Sequence, residues 1–100
     1  PKIRALTTLL KPLARMAHVG DIRQVGLVAG IELVVDRATK EPYPIEARIG
    51  HRVTAETRRN GLLLRPLGNV LLLLPPLSVS LPELKRMVSI LQSAIQSVTE

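Results

Sequence analysis

The sequence predicts a small α+β domain, in which helices pack on a small, mostly antiparallel sheet. Two stretches, 21–35 and 62–74, carry apolar runs or apolar alternation that indicate paired strands. Three others, 2–17, 45–60 and 80–98, place apolar residues at three- and four-residue steps, which is typical of helices. The predicted order is α-β-β-α-β-β-α, and 100 residues are enough for a single domain with its own core.

The first helix is indicated by one apolar stripe over residues 2–17. Pro12 lies inside this stripe and should kink or interrupt the helix, because a proline there removes a backbone hydrogen bond. The segment 18–20 is predicted to end the helix, so that the first strand begins at Asp21.

The first strand pair is predicted as Asp21–Val25 and Leu27–Val35, with Gly26 as a kink between them. Alternate residues of the longer strand form a wholly apolar face that should meet the core, namely Leu27, Ala29, Ile31, Leu33 and Val35. Gly30 lies on the other face, where the missing side chain should allow the close approach of another backbone.

The middle of the chain is predicted as a polar loop, 36–44, followed by a helix over 45–60. Asn60-Gly61 is a typical helix end, since both residues tolerate the left-handed conformation. Gly50 disfavours the centre of this helix by about 1 kcal/mol relative to alanine.

The last helix has a defined start. Ser80 is followed three residues later by Glu83, which is the spacing of a capping box, and Pro82 fits the first turn. An apolar stripe follows, formed by Leu84, Met87, Val88, Leu91, Ile95 and Val98.

The stretch 61–77 is predicted to be the centre of the sheet. Its apolar runs, Leu62–Leu64 and Val70–Leu74, suit strands buried on both faces. The connector Arg65–Asn69 contains proline, glycine and asparagine, so it is predicted as a turn with Arg65 as the cation at its tip. Pro75-Pro76 should end the second strand, because neither residue can donate to a strand ladder.

Composition excludes several classes of protein. The chain has no cysteine, which excludes disulfides and thiolate metal sites. Its net charge of +6 comes from scattered residues, and an aromatic content of 1% leaves no stacking surface for bases, so we expect no nucleic-acid partner. No apolar run reaches the roughly 20 residues of a membrane span, so no membrane partner is expected and the cytoplasm is the expected location.

Few side chains suggest chemistry. His18 and His51 are far apart in sequence and favour surface positions near helix ends over a metal pair, so no metal site is predicted. Asp21 and Glu32 favour salt bridges or strand ends over a catalytic pair of carboxylates.

Arg65 differs in its placement, between an apolar run and a proline that restrains the backbone. A guanidinium held in this way can present two donors to a carboxylate or a phosphate. The residue pattern alone favours an ordinary solvated loop arginine, because most charged residues of loops have no specific partner. Both interpretations stay open on the residues alone.

Longer strings resemble a known family. The segment 20–34, which reads GDIRQVGLVAGIELV, resembles the C-terminal domain of class III pyridoxal-phosphate aminotransferases. KEPYP at 40–44, RIGHRV at 48–53 and GLLLRPLGN at 61–69, followed by PPL at 75–77, resemble the branch of that family that acts in biotin biosynthesis. The resemblance covers nearly the whole chain.

The resemblance implies a homodimeric enzyme that transfers an amino group from S-adenosylmethionine to 8-amino-7-oxononanoate, giving 7,8-diaminononanoate. It implies that the missing large domain binds pyridoxal 5'-phosphate, so no catalytic or cofactor-binding residue is expected within residues 1–100. The implied partners are the remainder of the aminotransferase chain, a second subunit and small-molecule substrates. One role carries over: Arg65 matches the arginine of the family's Arg-Pro-(aromatic or Leu)-Gly motif, which binds the substrate carboxylate.

One departure from the wider family bears on the substrate. Many class III enzymes have a carboxylate-binding arginine where this chain has Leu72, which favours the biotin branch over ornithine- or 4-aminobutyrate-type enzymes. The 100-residue chain alone is expected to be inactive. Two alternatives are a domain of another class III aminotransferase and a stand-alone basic α+β interaction module.

Overall fold

The computed structural model describes residues 1–100 and has the predicted α+β architecture. Its three helices are α1 (Lys2–Ala14), α2 (Ile49–Arg59) and α3 (Leu81–Thr99). Its strands are β1 (Val19–Val25), β2 (Val28–Asp36), β3 (Glu41–Pro42), β4 (Arg65–Leu67) and β5 (Val70–Leu73). The main sheet is antiparallel with the order β1-β2-β5-β4, and the short β3 pairs with the end of β2.

The first helix is shorter than predicted. Pro12 lies in the last turn of α1, which continues for only two residues beyond it, so the expected interruption is the end of the helix. Turns over residues 15–18 then lead into β1, which begins at Val19 and not at Asp21.

Gly26 forms the turn of a hairpin and is not a kink within one strand. Its φ of +59° is the left-handed conformation that a two-residue hairpin loop requires, and Val25 pairs directly with Val28 across that loop. The predicted apolar face of β2 is confirmed at its centre, where Ala29, Ile31 and Leu33 are fully buried.

The expected close backbone approach at Gly30 is wrong. A Cβ added there would meet side-chain atoms of Val70 and Leu72 at 3.5 and 3.7 Å, which are ordinary contact distances. A tight approach occurs instead at Gly20, where an added Cβ would lie 2.6 Å from Cγ1 of Val34. Gly20 lies where the register of β1 against β2 shifts.

The middle segment contains more structure than predicted. The loop over 36–44 includes β3, which adds two residues to the edge of β2. The helix predicted over 45–60 is a single 3-10 turn, Ile45–Ala47, followed by α2. Arg48 separates the two with a φ of +48°, which no regular helix permits.

The central hairpin is shifted along the chain relative to the prediction. Residues 62–64 are not a strand, and β4 begins at Arg65, which pairs with Leu72 of β5. Arg65 therefore does not lie at the tip of the turn, which is formed by Gly68 and Asn69. The edge position of β4 accommodates Pro66, whose nitrogen has no hydrogen to donate.

The hydrophobic core lies between one face of the sheet and the helices. Buried residues of β2 and β5 meet those of α1 and α3 in one cluster that includes Leu6, Leu13, Ile31, Leu33, Leu71, Leu73, Leu84, Leu91 and Ile95. β5 ends at Leu73, so the double proline follows the strand as predicted. None of the three helices combines the length and the apolar character that crossing a membrane requires.

The start of α3 is the predicted capping box. The backbone N–H of Glu83 donates to Ser80 Oγ at 3.2 Å, and the backbone N–H of Ser80 donates to Glu83 Oε1 at 2.9 Å. The hydrogen bond from the Ser80 backbone N–H, and after it a hydrogen bond from the Ser80 hydroxyl, hold the pKa of the Glu83 carboxyl below its ordinary value.

Ser80→Ala is expected to lower the free energy of unfolding of the 100-residue chain by about 1 kcal/mol, because it removes the acceptor for a helix N-terminal donor. Urea denaturation of the two chains measures this. Ser78→Ala, in the turn before the cap, is the control and should change nothing. An unchanged midpoint for Ser80→Ala would mean that the cap does not stabilise α3.

The same cap gives an expected pH dependence. Because the pKa of Glu83 is lower in the folded chain than in the unfolded chain, its contribution to stability is complete above about pH 4.5, the ordinary pKa of this carboxyl. The contribution is lost as the pH falls through the lower folded-state pKa. Glu83→Gln should therefore flatten this part of the curve of unfolding midpoint against pH.

Candidate functional site

The sheet has one face in the core and one face turned away from the helices, which we call the outer face. The strand register places Arg65, Leu72, Gly30 and Arg23 in one row across β4, β5, β2 and β1. Side chains of one row share a face, as do residues two positions along each strand. The outer face is thus formed by Asp21, Arg23, Val25, Val28, Gly30, Glu32, Arg65, Leu67, Val70 and Leu72.

Arg65 lies in an apolar part of the outer face. Its register partner is Leu72, and Leu67, two positions along β4, is exposed on the same face. The side chain of Arg65 is exposed and forms no salt bridge and no hydrogen bond within the chain. Its five donors are therefore free to bind an anion from outside the chain.

Arg23, the other arginine on the outer face, has a partner within the chain, unlike Arg65. Arg23 Nε donates to Asp21 Oδ2 at 3.0 Å, so Asp21 has the first of the two roles predicted for it, a salt bridge. Glu32 is the cross-strand neighbour of Asp21, so these two carboxylates do come together on the outer face. They lie on β1 and β2, and Glu32 is about 10 Å from the β4 backbone across two strand spacings. No carboxylate of a neighbouring strand thus competes for Arg65.

The turn that ends β4 is held in place from three sides. The side-chain amide of Asn69 donates to the carbonyl oxygen of Tyr43 at 3.1 Å, and the Asn69 carbonyl oxygen accepts the backbone N–H of Leu33 at 2.8 Å. On a third side, α2 packs so closely that a Cβ on Gly50 would overlap the carbonyl oxygen of Gly68. The backbone that carries Arg65 is therefore well restrained.

A surface cavity of about 430 Å³ lies beside the same turn. It is lined by Tyr43, Arg48, His51 and Asn69, among others. Burial raises the pKa of the Tyr43 hydroxyl above its ordinary value, and the charge of Arg52 partly offsets this. No two of the side chains that line the cavity are hydrogen-bonded to each other.

The two histidines have different environments. His51 lies exposed in the first turn of α2, as predicted. His18 is half-buried, with Nδ1 3.1 Å from the Val34 carbonyl oxygen, so the predicted surface position is wrong for this residue. No three His, Asp or Glu side chains come together in a way that would hold a metal ion.

The contact of Gly50 with the turn is the feature of this region that the sequence interpretation missed. From the sequence, Gly50 is predicted only to disfavour the helix. A glycine among the apolar positions of an amphipathic helix often marks a close packing contact, and this signal was present in the sequence.

Comparison with known proteins gives the family. A model of the family described as Aminotransferase class-III matches residues 2–95. Because this match covers nearly the whole sequence, the chain belongs to the class III aminotransferases.

Individual relatives are more specific. The chain is similar to adenosylmethionine-8-amino-7-oxononanoate aminotransferase of Nitratidesulfovibrio vulgaris, with 56% identity over all of this chain and 18% of the relative. A crystal structure of the enzyme of that name from Methanocaldococcus jannaschii matches with a TM-score of 0.96 and 41% identity, over 100% of this chain and 23% of that one. A PMP-bound aminotransferase from Vibrio fluvialis matches with a TM-score of 0.92 and 27% identity, over 96% and 21%. The chain thus spans about a fifth of the length of these proteins.

Proposed function

We propose that residues 1–100 are the C-terminal substrate-binding domain of an aminotransferase of biotin biosynthesis. The enzyme transfers an amino group from S-adenosylmethionine to 8-amino-7-oxononanoate. The observation that carries the proposal is Arg65, an unpaired guanidinium in an apolar part of the outer face, in a chain whose relatives act, by name, on this oxo acid.

The chemistry of the oxo acid fits this position. Its carboxylate and its reacting carbonyl are separated by a chain of methylene groups, so the distant carboxylate must be fixed before the carbonyl is correctly placed. Arg65 can give a bidentate, charge-assisted contact to the carboxylate. Leu67 and Leu72 provide apolar surface beside it, which suits the methylene chain.

Pyridoxal phosphate, the cofactor that the family implies, supplies the chemistry of amino transfer when it is bound. The residues of this chain do not form its site. The side chains of Lys2 and Lys40 donate to the backbone carbonyls of Leu77 and Gly20, and Lys11 and Lys85 are exposed on helices. The proposal therefore assigns the cofactor to the remainder of the enzyme, and Arg65 acts on the substrate alone.

The outer face also supports a larger assembly. Exposed apolar residues on it include Val25, Val28 and Leu67. The relatives are about five times longer than this chain, so most of each enzyme lies outside the aligned region. We infer that the remainder of the chain, with a second subunit of a cytoplasmic homodimer, covers this face and encloses the substrate.

The full-length protein tests the proposed function. It should form 7,8-diaminononanoate from the oxo acid only when S-adenosylmethionine is present. The 100-residue chain should form no product and, at stoichiometric cofactor, no borohydride-stable pyridoxyl adduct at one specific lysine. If the full-length protein acts on another oxo acid instead, the domain belongs to a different class III aminotransferase. A full-length protein without transaminase activity would favour the interaction module.

The isolated 100-residue chain is expected to self-associate at high concentration, because Val25, Val28 and Leu67 on its outer face are exposed and uncovered. Sedimentation velocity over a range of concentrations measures this. The double variant Val25→Lys, Leu67→Lys should shift the chain towards monomer, whereas Leu77→Lys, in the equally exposed turn after β5, should not. A monomer at every concentration would contradict the inference about this face.

A further inference from the structure

We propose that Gly50 is a positioning residue for Arg65. The contact between α2 and the β4–β5 turn is so close that only a residue without a side chain permits it, and this contact sets where β4 presents the guanidinium. The inference rests on the proposed function, in which Arg65 binds the substrate carboxylate.

The geometry at Gly50 leaves no room for a methyl group. An added Cβ would overlap the carbonyl oxygen of Gly68, and it would lie 3.6 Å from the carbonyl carbon of the same residue. It would also lie 3.3 Å from Cβ of Pro66, the residue next to Arg65. The overlapping oxygen belongs to the backbone, so no side-chain rotation relieves the clash.

The surrounding contacts decide which element must move. α2 is fixed in the core by Ile49 and Val53, which are fully or almost fully buried. The far side of the turn is tied to Tyr43 and Leu33 through Asn69. β4 can give way more easily than α2, because it is an edge strand of three residues that pairs only with β5. A methyl group on Gly50 is therefore expected to displace Gly68 and Pro66, and Arg65 moves with them.

A displaced guanidinium loses its two-point contact before the fold is lost. Misplacement of a binding group by about 1 Å costs on the order of 100-fold in rate. Gly50→Ala should therefore lower kcat/KM of the full-length enzyme for 8-amino-7-oxononanoate by about 10- to 100-fold, mainly through KM. The methyl ester of the substrate, which lacks the negative charge, should be affected by less than about threefold.

The decisive quantity is the ratio of kcat/KM for the acid to kcat/KM for the methyl ester. We would measure this ratio in the wild type, in Gly50→Ala, in Arg65→Ala and in the double variant. Gly50→Ala should lower the ratio about tenfold or more in the wild-type background and leave it unchanged when Arg65 is absent, because the two residues act as one unit. A general loss of structure would lower both rates and would not show this non-additivity.

Gly20→Ala is the matched control. It also adds a methyl group against a close neighbour, Val34, but in β1, the edge strand opposite β4. It should lower the unfolding temperature without changing the ratio. Pro66→Gly is a second test of the positioning role. It removes the side chain that contacts Gly50 and makes the β4 backbone more flexible without adding a group. This variant should also lower the ratio.

The outcomes separate the two proposals. If Arg65→Ala leaves the ratio unchanged, the carboxylate role itself is wrong. The positioning role of Gly50 is overturned if Arg65→Ala lowers the ratio but Gly50→Ala does not. It is also overturned if Gly50→Ala lowers the ratio equally in the wild type and in the Arg65→Ala variant. If Gly50→Ala does not fold, Pro66→Gly decides, and an unchanged ratio in that variant overturns the positioning role.

Discussion

Arg65→Ala is expected to lower kcat/KM of the full-length enzyme for 8-amino-7-oxononanoate by about 30- to 1,000-fold. This corresponds to about 2 to 4 kcal/mol, as for truncating one side of a buried charge pair. The loss is large because the guanidinium has no partner within the chain and is free to serve the substrate alone. Arg65→Lys should recover only part of the activity, since an ammonium group cannot reproduce the two-point contact.

The two half-reactions separate substrate binding from folding. Single-turnover measurements, followed by the absorbance of the cofactor, should show a much smaller effect on the half-reaction with S-adenosylmethionine, because the proposal assigns Arg65 to the carboxylate of the oxo acid. Arg58→Ala, at the exposed C-terminal end of α2, is the control and should affect neither half. Equal losses in both halves would mean that Arg65 orders the domain, and no loss would leave it an ordinary solvated arginine.

Leu71→Ala is expected to lower the free energy of unfolding of the 100-residue chain by about 2 to 5 kcal/mol. Leu71 is 0% exposed and lies on the core face of β5, paired in register with Ile31 of β2 and Pro66 of β4. Its truncation removes apolar contacts and leaves a cavity in the middle of the sheet, which the flanking strands cannot fill without losing their own pairing.

Urea denaturation with a common slope measures this loss. Leu77→Ala is the matched control, because Leu77 is 85% exposed and the same change there should alter stability by less than about 0.5 kcal/mol. Equal effects of the two substitutions would show that β5 is not the centre of the core.

Local signals in the sequence predicted those parts of the fold that depend on neighbours within about four residues. The capping box of α3 is an example, since Ser80 and Glu83 lie within the first turn of one helix. The apolar alternation that places Ala29, Ile31 and Leu33 in the core is another, because the period of a strand alone defines its faces.

The wrong strand predictions concern segments whose structure depends on a partner strand. The apolar run 62–64 resembles a strand, but it has none to pair with, and Leu63 is 76% exposed. β4 instead begins at Arg65, where Leu72 of β5 lies opposite. An apolar run does not by itself specify its register, since pairing depends on cross-strand packing with residues elsewhere in the chain.

The sequence by itself determined the α+β class, the presence of three helices and Arg65 as the candidate cation, because periodicity and short motifs are local properties. Only the tertiary structure decided the strand order β1-β2-β5-β4, which puts Arg65 beside Leu72 and away from the Asp21–Arg23 salt bridge. It also decided the contact between Gly50 and the turn at Gly68. The strand order and the Gly50 contact both join residues that are distant in sequence, because whole faces of helices and strands are buried together. The free energy of that burial depends on the assembled core and not on any single segment.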